Sequence, residues 1–149
     1  MRDARERALS AAQGVFGESW VPTTWSLAPG RIELLGNHVD YNGGLVLAAA
    51  IDREVAVAVG PSVLAGAGNG VTVLASDVDT TPTTIDPSSI PDWTLGDEPL
   101  TADSYVRGML AALHARGMQP PQEVTLSIAG DIPLGFGMSS SAAIDSVTS

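Results

Sequence analysis

Glycine and serine crowd one short stretch of this 149-residue chain, Gly135 to Ala143, which reads G-F-G-M-S-S-S-A-A. Before it, Glu123–Ala129 alternates Val124, Leu126 and Ile128 with polar or small residues, the period of a strand. After the serines come small residues suited to a helix, so the local order is strand, glycine-serine loop, helix. Glycines at 135 and 137 let the backbone take positive φ and approach a ligand closely. The N–H groups that open the helix, together with the positive end of its dipole, then face anionic oxygens. Phosphate held in this way needs no lysine. The chain has none, because its seven basic residues are all Arg. That excludes the lysine of a Walker loop and the strand lysine of a protein kinase, and leaves a different kind of nucleotide site. Plain N-capping by Ser139, Ser140 and Ser141 uses the same N–H groups and is compatible with it.

The rest of the chain supplies elements for one domain. Asp3–Phe16 mixes charged and apolar residues at helical spacing and stops at Gly17. Its expected role is packing. Extended segments follow at Val21–Leu27, Leu45–Ile51, Glu54–Val59 and Val71–Ala75, enough for an antiparallel or mixed sheet. Gly66–Gly70 is a loop by composition, and Thr80–Pro99, rich in Pro, Thr, Asp and Ser, is a surface excursion or edge strand. In Ala102–Arg116, Val106, Met109, Leu110 and Leu113 fall on one helical face, ahead of a terminating Gly117. Asp77, Asp79 and Asp86 are spaced too irregularly for a calcium loop, and Trp20, Trp25 and Trp93 are expected to be packing anchors.

Composition narrows the partners. A net charge of −10 with no basic stretch argues against nucleic acid and anionic membranes. The longest apolar run, Leu45–Ile51, is far too short to span a bilayer, and the charged start lacks the apolar core of a signal peptide, so a cytoplasmic protein is expected. Without cysteine there is no disulfide, thiolate metal site or cysteine nucleophile. The last helix reaches Ser149 after two or three turns without a cap, which reads as a truncated chain.

A second polar cluster lies in Ala28–Leu47, A-P-G-R-I-E-L-L-G-N-H-V-D-Y-N-G-G-L-V-L, where Arg31, Asn37, His38, Asp40 and Asn42 stand among turn-forming glycines. Asn, His and Asp offer donors and acceptors for vicinal hydroxyls, and a carboxylate takes hydroxyl protons in charge-assisted bonds. A sugar would suit them. A tight turn capped by Asp40 and Asn42 would use the same residues without any ligand.

The pattern A-P-G-R-x-x-L-x-G-x-H-x-D-Y-N-x-G resembles the galactokinase signature of the GHMP small-molecule kinases. I-P-L-G-F-G-M-S-S-S-A-A, Ile132–Ala143, resembles the ATP-binding motif of that superfamily, and S-Y-V-R-G, Ser104–Gly108, a further family segment between them. The resemblance implies an α+β fold, a mixed sheet with packed helices similar to the second domain of ribosomal protein S5, with residues 1–149 forming the N-terminal kinase domain and the C-terminal domain absent. It implies ATP and Mg²⁺ as cofactors and phosphorylation of galactose at C1. On this resemblance Asn37, His38, Val39 and Asp40 contact the sugar, and Arg31 is the catalytic arginine beside the anomeric hydroxyl. Gly135, Phe136, Gly137, Met138, Ser139, Ser140 and Ser141 hold the phosphates, with Ser141 near Mg²⁺. Asn37 stands where galactokinases usually carry Glu, which opens the alternative of another sugar. The family's catalytic aspartate and third motif belong downstream of Ser149, so the isolated chain is expected to be inactive. A non-catalytic sugar and ATP sensor on the same scaffold is the other alternative, whereas RNA binding conflicts with the acidic, lysine-free composition.

Overall fold

The structure, a computed structural model, describes residues 3–36, 42–62, 70–94, 96, 101–119, 121 and 123–132. Helix α1 (Ala4–Phe16) leads into β1 (Thr24–Leu35), β2 (Leu47–Pro61), β3 (Val71–Ala75), β4 (Thr83–Ile85), α2 (Ala102–Ala115) and β5 (Val124–Gly130). The strands form one sheet in the order β1-β2-β5-β3-β4. Neighbours pair antiparallel except β3 and β5, which run parallel and are joined by a crossover through β4 and α2. This is the mixed α+β architecture expected from the alternating and helical periods.

Period-two alternation sorts the central strands onto two covered faces. Val55, Val57, Leu126, Ile128, Val71 and Val73 point to the side closed by α2, where Val106 and Leu110 are completely buried with Ile85 and Ile90. The opposite face is built of small side chains, with Ala58 and Ala129 packed against Ala8 and Ala12 of α1. Ala4, Ala8 and Ala12 recur every four residues and all face inward, so α1 lies close against β2 and β5. The Ser127 hydroxyl, fully buried, donates to the Ala8 carbonyl at 2.7 Å and ties the helix to the sheet. Trp20 closes this layer; its ring lies over Gly60, and its Nε1–H donates to the Pro61 carbonyl at 3.1 Å.

Two sequence readings need correction. Ala28–Leu35, read as part of a glycine-rich polar turn, is the second half of β1, and Leu45–Ile51 and Glu54–Val59 belong to a single strand from Leu47 to Pro61. The charged triplet Asp52-Arg53-Glu54 breaks the hydrophobic alternation but not the strand. Arg53 pairs with Asp131, and the Glu54 backbone exchanges hydrogen bonds with the same residue. Among the described residues, β2 beyond this point has only β1 as a neighbour, because β5 ends at Gly130 opposite Val55. The β1–β2 ribbon therefore projects as an arm with Leu34, Leu35 and Leu47 exposed. Thr80–Pro99 contains β4 at the sheet edge, as its composition implied, and the Asp86 carboxylate caps a short turn of 3₁₀ helix at Pro87–Ser89.

Candidate functional site

At the base of this arm the A-P-G-R segment passes Ile132, the first residue of the second motif. Gly30 is buried, and a Cβ placed on it would lie 3.1 Å from Cδ1 of Ile132 and 3.1 Å from Cδ1 of Ile51. Ile132 is the first residue of I-P-L-G-F-G-M-S-S-S, and Gly30 the third of A-P-G-R. With any larger residue here the ends of both isoleucine side chains would have to give by a few tenths of an ångström, so glycine suits the close pass of β1 by the lead-in of the serine motif. Arg31, the next residue, is exposed on β1 opposite Ala50, just after a register shift between Pro29 and Arg31. A bulge of this kind re-aims the side chains that follow it. Asn37, His38, Val39 and Asp40, and Gly135, Phe136, Gly137, Met138, Ser139, Ser140 and Ser141, lie outside the described residues.

The exit of β5 toward the serine motif is held from both sides. On the β2 side, the Asp131 N–H donates to the Glu54 carbonyl at 3.0 Å, the Glu54 N–H donates to Asp131 Oδ1 at 2.7 Å, and Arg53 Nη1 reaches Asp131 Oδ2 at 3.2 Å. On the β3 side, Asp77 Oδ2 accepts from the Gly130 N–H at 2.7 Å, while Arg7 of α1 donates from Nη2 to the Gly130 carbonyl and from Nη1 to Asp77 Oδ1 at 3.2 Å. Sequence reading missed Arg7, Arg53, Asp77 and Asp131 as a group. Asp131, directly before the motif, carried a signal; Arg7 and Asp77 carried none, being distant in sequence from Gly130 and from each other.

A cleft of about 280 Å³ opens beside the turn that carries Asp77. Val73, Ala75 and Val78 give it an apolar floor, and Asp79, Thr101 and Asp103 a polar rim. Thr101 begins α2 through a capping box with Ser104, each hydroxyl accepting from the other's backbone N–H. Ser104, singled out in S-Y-V-R-G, thus has a structural partner at the cleft's edge. Partial burial pushes the Asp103 carboxyl up, but hydrogen bonds from the Thr101 hydroxyl and Arg107 outweigh it and hold the group below the usual carboxylate range. A second cavity of about 260 Å³, under α2, is lined by Val59, Met109, Leu113, Pro121 and other apolar residues. Among the described residues its lining offers no polar side chain to orient a sugar or phosphate. His114 lies in the last turn of α2 and has no part in either space.

Residues 13–61 match the galactokinase galactose-binding signature. This stretch runs from the end of α1 through β1 and the arm to the end of β2, and so contains Gly30 and Arg31. Among solved structures, Lactococcus lactis galactokinase complexed with galactose superposes with a TM-score of 0.70 at 24% identity, covering 96% of this chain and 35% of that one. Methanococcus jannaschii mevalonate kinase matches with a TM-score of 0.67 at 19% identity over 84% of this chain and 38% of its own. A D-glycero-D-manno-heptose 1-phosphate kinase from Bacteroides thetaiotaomicron gives 0.58 at 20% identity, over 81% and 39%. The chain carries a galactokinase signature on a fold it shares with these GHMP kinases. It spans little more than a third of the length of each. Among the described residues, no helix is long and apolar enough to cross a membrane.

Proposed function

We propose that this chain is the sugar- and nucleotide-binding part of a cytoplasmic kinase that transfers a phosphoryl group from ATP to C1 of galactose. The observation that carries the reading is the contact of Gly30 with Ile132, which brings the signature's A-P-G-R to the lead-in of the serine motif. Sugar and phosphates bound to the two motifs would then be neighbours, as transfer between them requires. The galactose-binding signature and the galactose complex of the Lactococcus lactis enzyme support the sugar. The cleft beside Asp77 supports the nucleotide, since its size and apolar floor suit a nucleobase and its rim offers hydrogen-bonding groups.

In this reading Gly135–Ser141 binds the phosphates through backbone N–H groups, and the Ser141 hydroxyl helps hold Mg²⁺. When bound, Mg·ATP supplies the electrophilic γ-phosphoryl group. Asn37, His38, Val39 and Asp40 orient the sugar, with the Asp40 carboxylate accepting from its hydroxyls. Arg31 stabilises charge developing between the nucleophilic oxygen and the transferring group. The family's proton acceptor, an aspartate, is not among these residues, so no base is assigned to this chain. Asn37 leaves the acceptor of the usual Glu without its charge, which makes sugar identity the first thing to test.

Calorimetry of the 149-residue chain against D-galactose, N-acetylgalactosamine, L-arabinose and D-glucose is expected to rank galactose first, and an ATP-consumption assay with galactose to show no turnover. Equal affinity for all four sugars would overturn the galactose assignment. Turnover by this chain would require a base among the carboxylates already present.

A further inference from the structure

The last residue of β5 is held on one side by side chains where a strand would be expected. β3 runs parallel to β5 only as far as Ala75, opposite Ile128, and the Ser76 N–H then donates to the Ile128 carbonyl at 3.2 Å. Two residues further along, Asp77 comes level with Gly130, but β3 has already turned away, since the Val78 and Asp79 N–H groups both donate to the Ala75 carbonyl at 2.9 Å. The Asp77 carboxylate takes over as acceptor for the Gly130 N–H, and Arg7 supplies the donor for the Gly130 carbonyl. Arg7 also pairs with Asp77, so both polar groups of one peptide position are fixed by a single ion pair. The pair is about two-thirds shielded from solvent, with side chains 30% and 34% exposed. A planar guanidinium can serve both acceptors at once; an ammonium cannot do so with the same geometry.

This ion pair stands at a junction. Gly130 is two residues from Ile132, where the serine motif begins. Asp77 sits in the turn whose next residues, Val78 and Asp79, line the cleft. Arg7 comes from α1, whose apolar packing among the described residues is through alanines, Leu9 and Phe16. We propose that Arg7 and Asp77 are positioning residues for the nucleotide: they lock the end of β5, which leads into the serine motif, to the wall of the cleft. The inference rests on the nucleotide site proposed above and gives α1 a role beyond packing. The clamp lines no part of the cleft itself. It acts by holding the end of β5 in register with the cleft wall, and a shift of about an ångström in such a support weakens binding and transfer steeply.

The test is calorimetry of the 149-residue chain with a non-hydrolysable Mg·ATP analogue and, separately, with galactose, on Arg7→Met, Arg7→Lys, Asp77→Asn and the control Ser127→Ala. Ser127→Ala loosens α1 from the sheet without touching the clamp. Arg7→Met and Asp77→Asn should each raise the analogue's Kd on the order of tenfold, leave the galactose Kd within about twofold, and combine less than additively because they break one unit. Arg7→Lys should recover only part of the loss. Ser127→Ala should lower the unfolding midpoint and leave the analogue's Kd in place. An unchanged analogue Kd in folded Arg7→Met overturns the clamp alone. Parallel loss of both ligands, or an equal loss in Ser127→Ala, reduces Arg7 to a structural residue. A wild-type chain that binds galactose but no analogue removes the nucleotide site itself, and the clamp inference with it.

Discussion

Gly60→Ala is the sharpest test of how α1 and Trp20 close the small-residue face. A Cβ at position 60 would fall 2.5 Å from Cζ2 and 3.0 Å from Cε2 of Trp20, and 3.2 Å from the Val21 carbonyl oxygen. Ordinary carbon contacts begin near ~3.5 Å, so the indole must retreat by about an ångström. It has little room, because Trp20 is 2% exposed, Ala8, Ala12 and Ala58 beside it are fully buried, and Phe16 lies against it with ring centroids 6.2 Å apart. Movement also strains the 3.1 Å bond from Nε1 to the Pro61 carbonyl. Overpacking costs about 1–3 kcal/mol, a weakened hydrogen bond about 0.5–1.5 kcal/mol, and replacing a strand glycine returns about 0.5–1 kcal/mol. The net is a destabilisation of about 2 kcal/mol, or roughly 4–8 °C in Tm for a chain of this size. Urea unfolding followed by far-UV circular dichroism reads it, repeated in a Trp20→Ala background. There the clash is gone, and the same substitution should be neutral or stabilising by up to ~1 kcal/mol. A cost below ~0.5 kcal/mol in the wild type, or equal costs in the two backgrounds, would refute the packing argument.

Leu110→Ala removes a completely buried side chain of α2 from the larger core and should cost about 2–5 kcal/mol by urea unfolding, with the low end expected because the neighbouring cavity lets the site relax. Asp103 has a lowered pKa in the folded chain, so its contribution is present above the unfolded carboxylate pKa of ~3.9 and is lost as pH falls through the lower folded value. The urea midpoint of the wild type should therefore fall more steeply than that of Asp103→Asn between about pH 5 and pH 3, and parallel profiles would discount the Thr101 and Arg107 contacts. Arg31→Gln, on an exposed strand position, should leave stability within ~0.5 kcal/mol. In the proposed kinase the same change should lower kcat on the order of a hundredfold with the galactose KM little altered, and an unchanged kcat would remove Arg31 from the catalytic assignment.

The elements most legible in the sequence are those whose periodicity burial enforces. Val55, Val57 and Val59 alternate because one face of β2 meets α2, and Val106, Met109, Leu110 and Leu113 repeat at helical spacing because they meet that face in turn. The length of β1 and β2 was not legible, because among the described residues the arm they form has no second layer. Strand pairing holds Arg31–Leu35 against Leu47–Ala50 with no described residue packed over them to select alternation, and the glycines of the motif read as turn. The break left at Asp52 and Arg53 between two expected strands has a related reason. Charge interrupts the apolar alternation there, and it is Asp131, far along the chain, that engages the Arg53 side chain and the Glu54 backbone.

The candidate site divides in the same way. A motif written in consecutive residues leaves a local pattern, so A-P-G-R and the serine run could be picked out without a structure. What fixes those motifs in space is spread over the chain, as Arg7, Arg53, Asp77 and Asp131 show, and single charged residues in unrelated segments are indistinguishable from solvated surface. Gly30 lies between the two cases. Its conformational freedom could be read from the motif, but its surroundings could not: a Cβ at position 30 would press on the side-chain ends of Ile132 and Ile51, which would have to give by a few tenths of an ångström. The same glycine that reads as a turn residue therefore also lets β1 pass close to the end of β5, a constraint that acts between strands and leaves only the absence of a side chain as its mark.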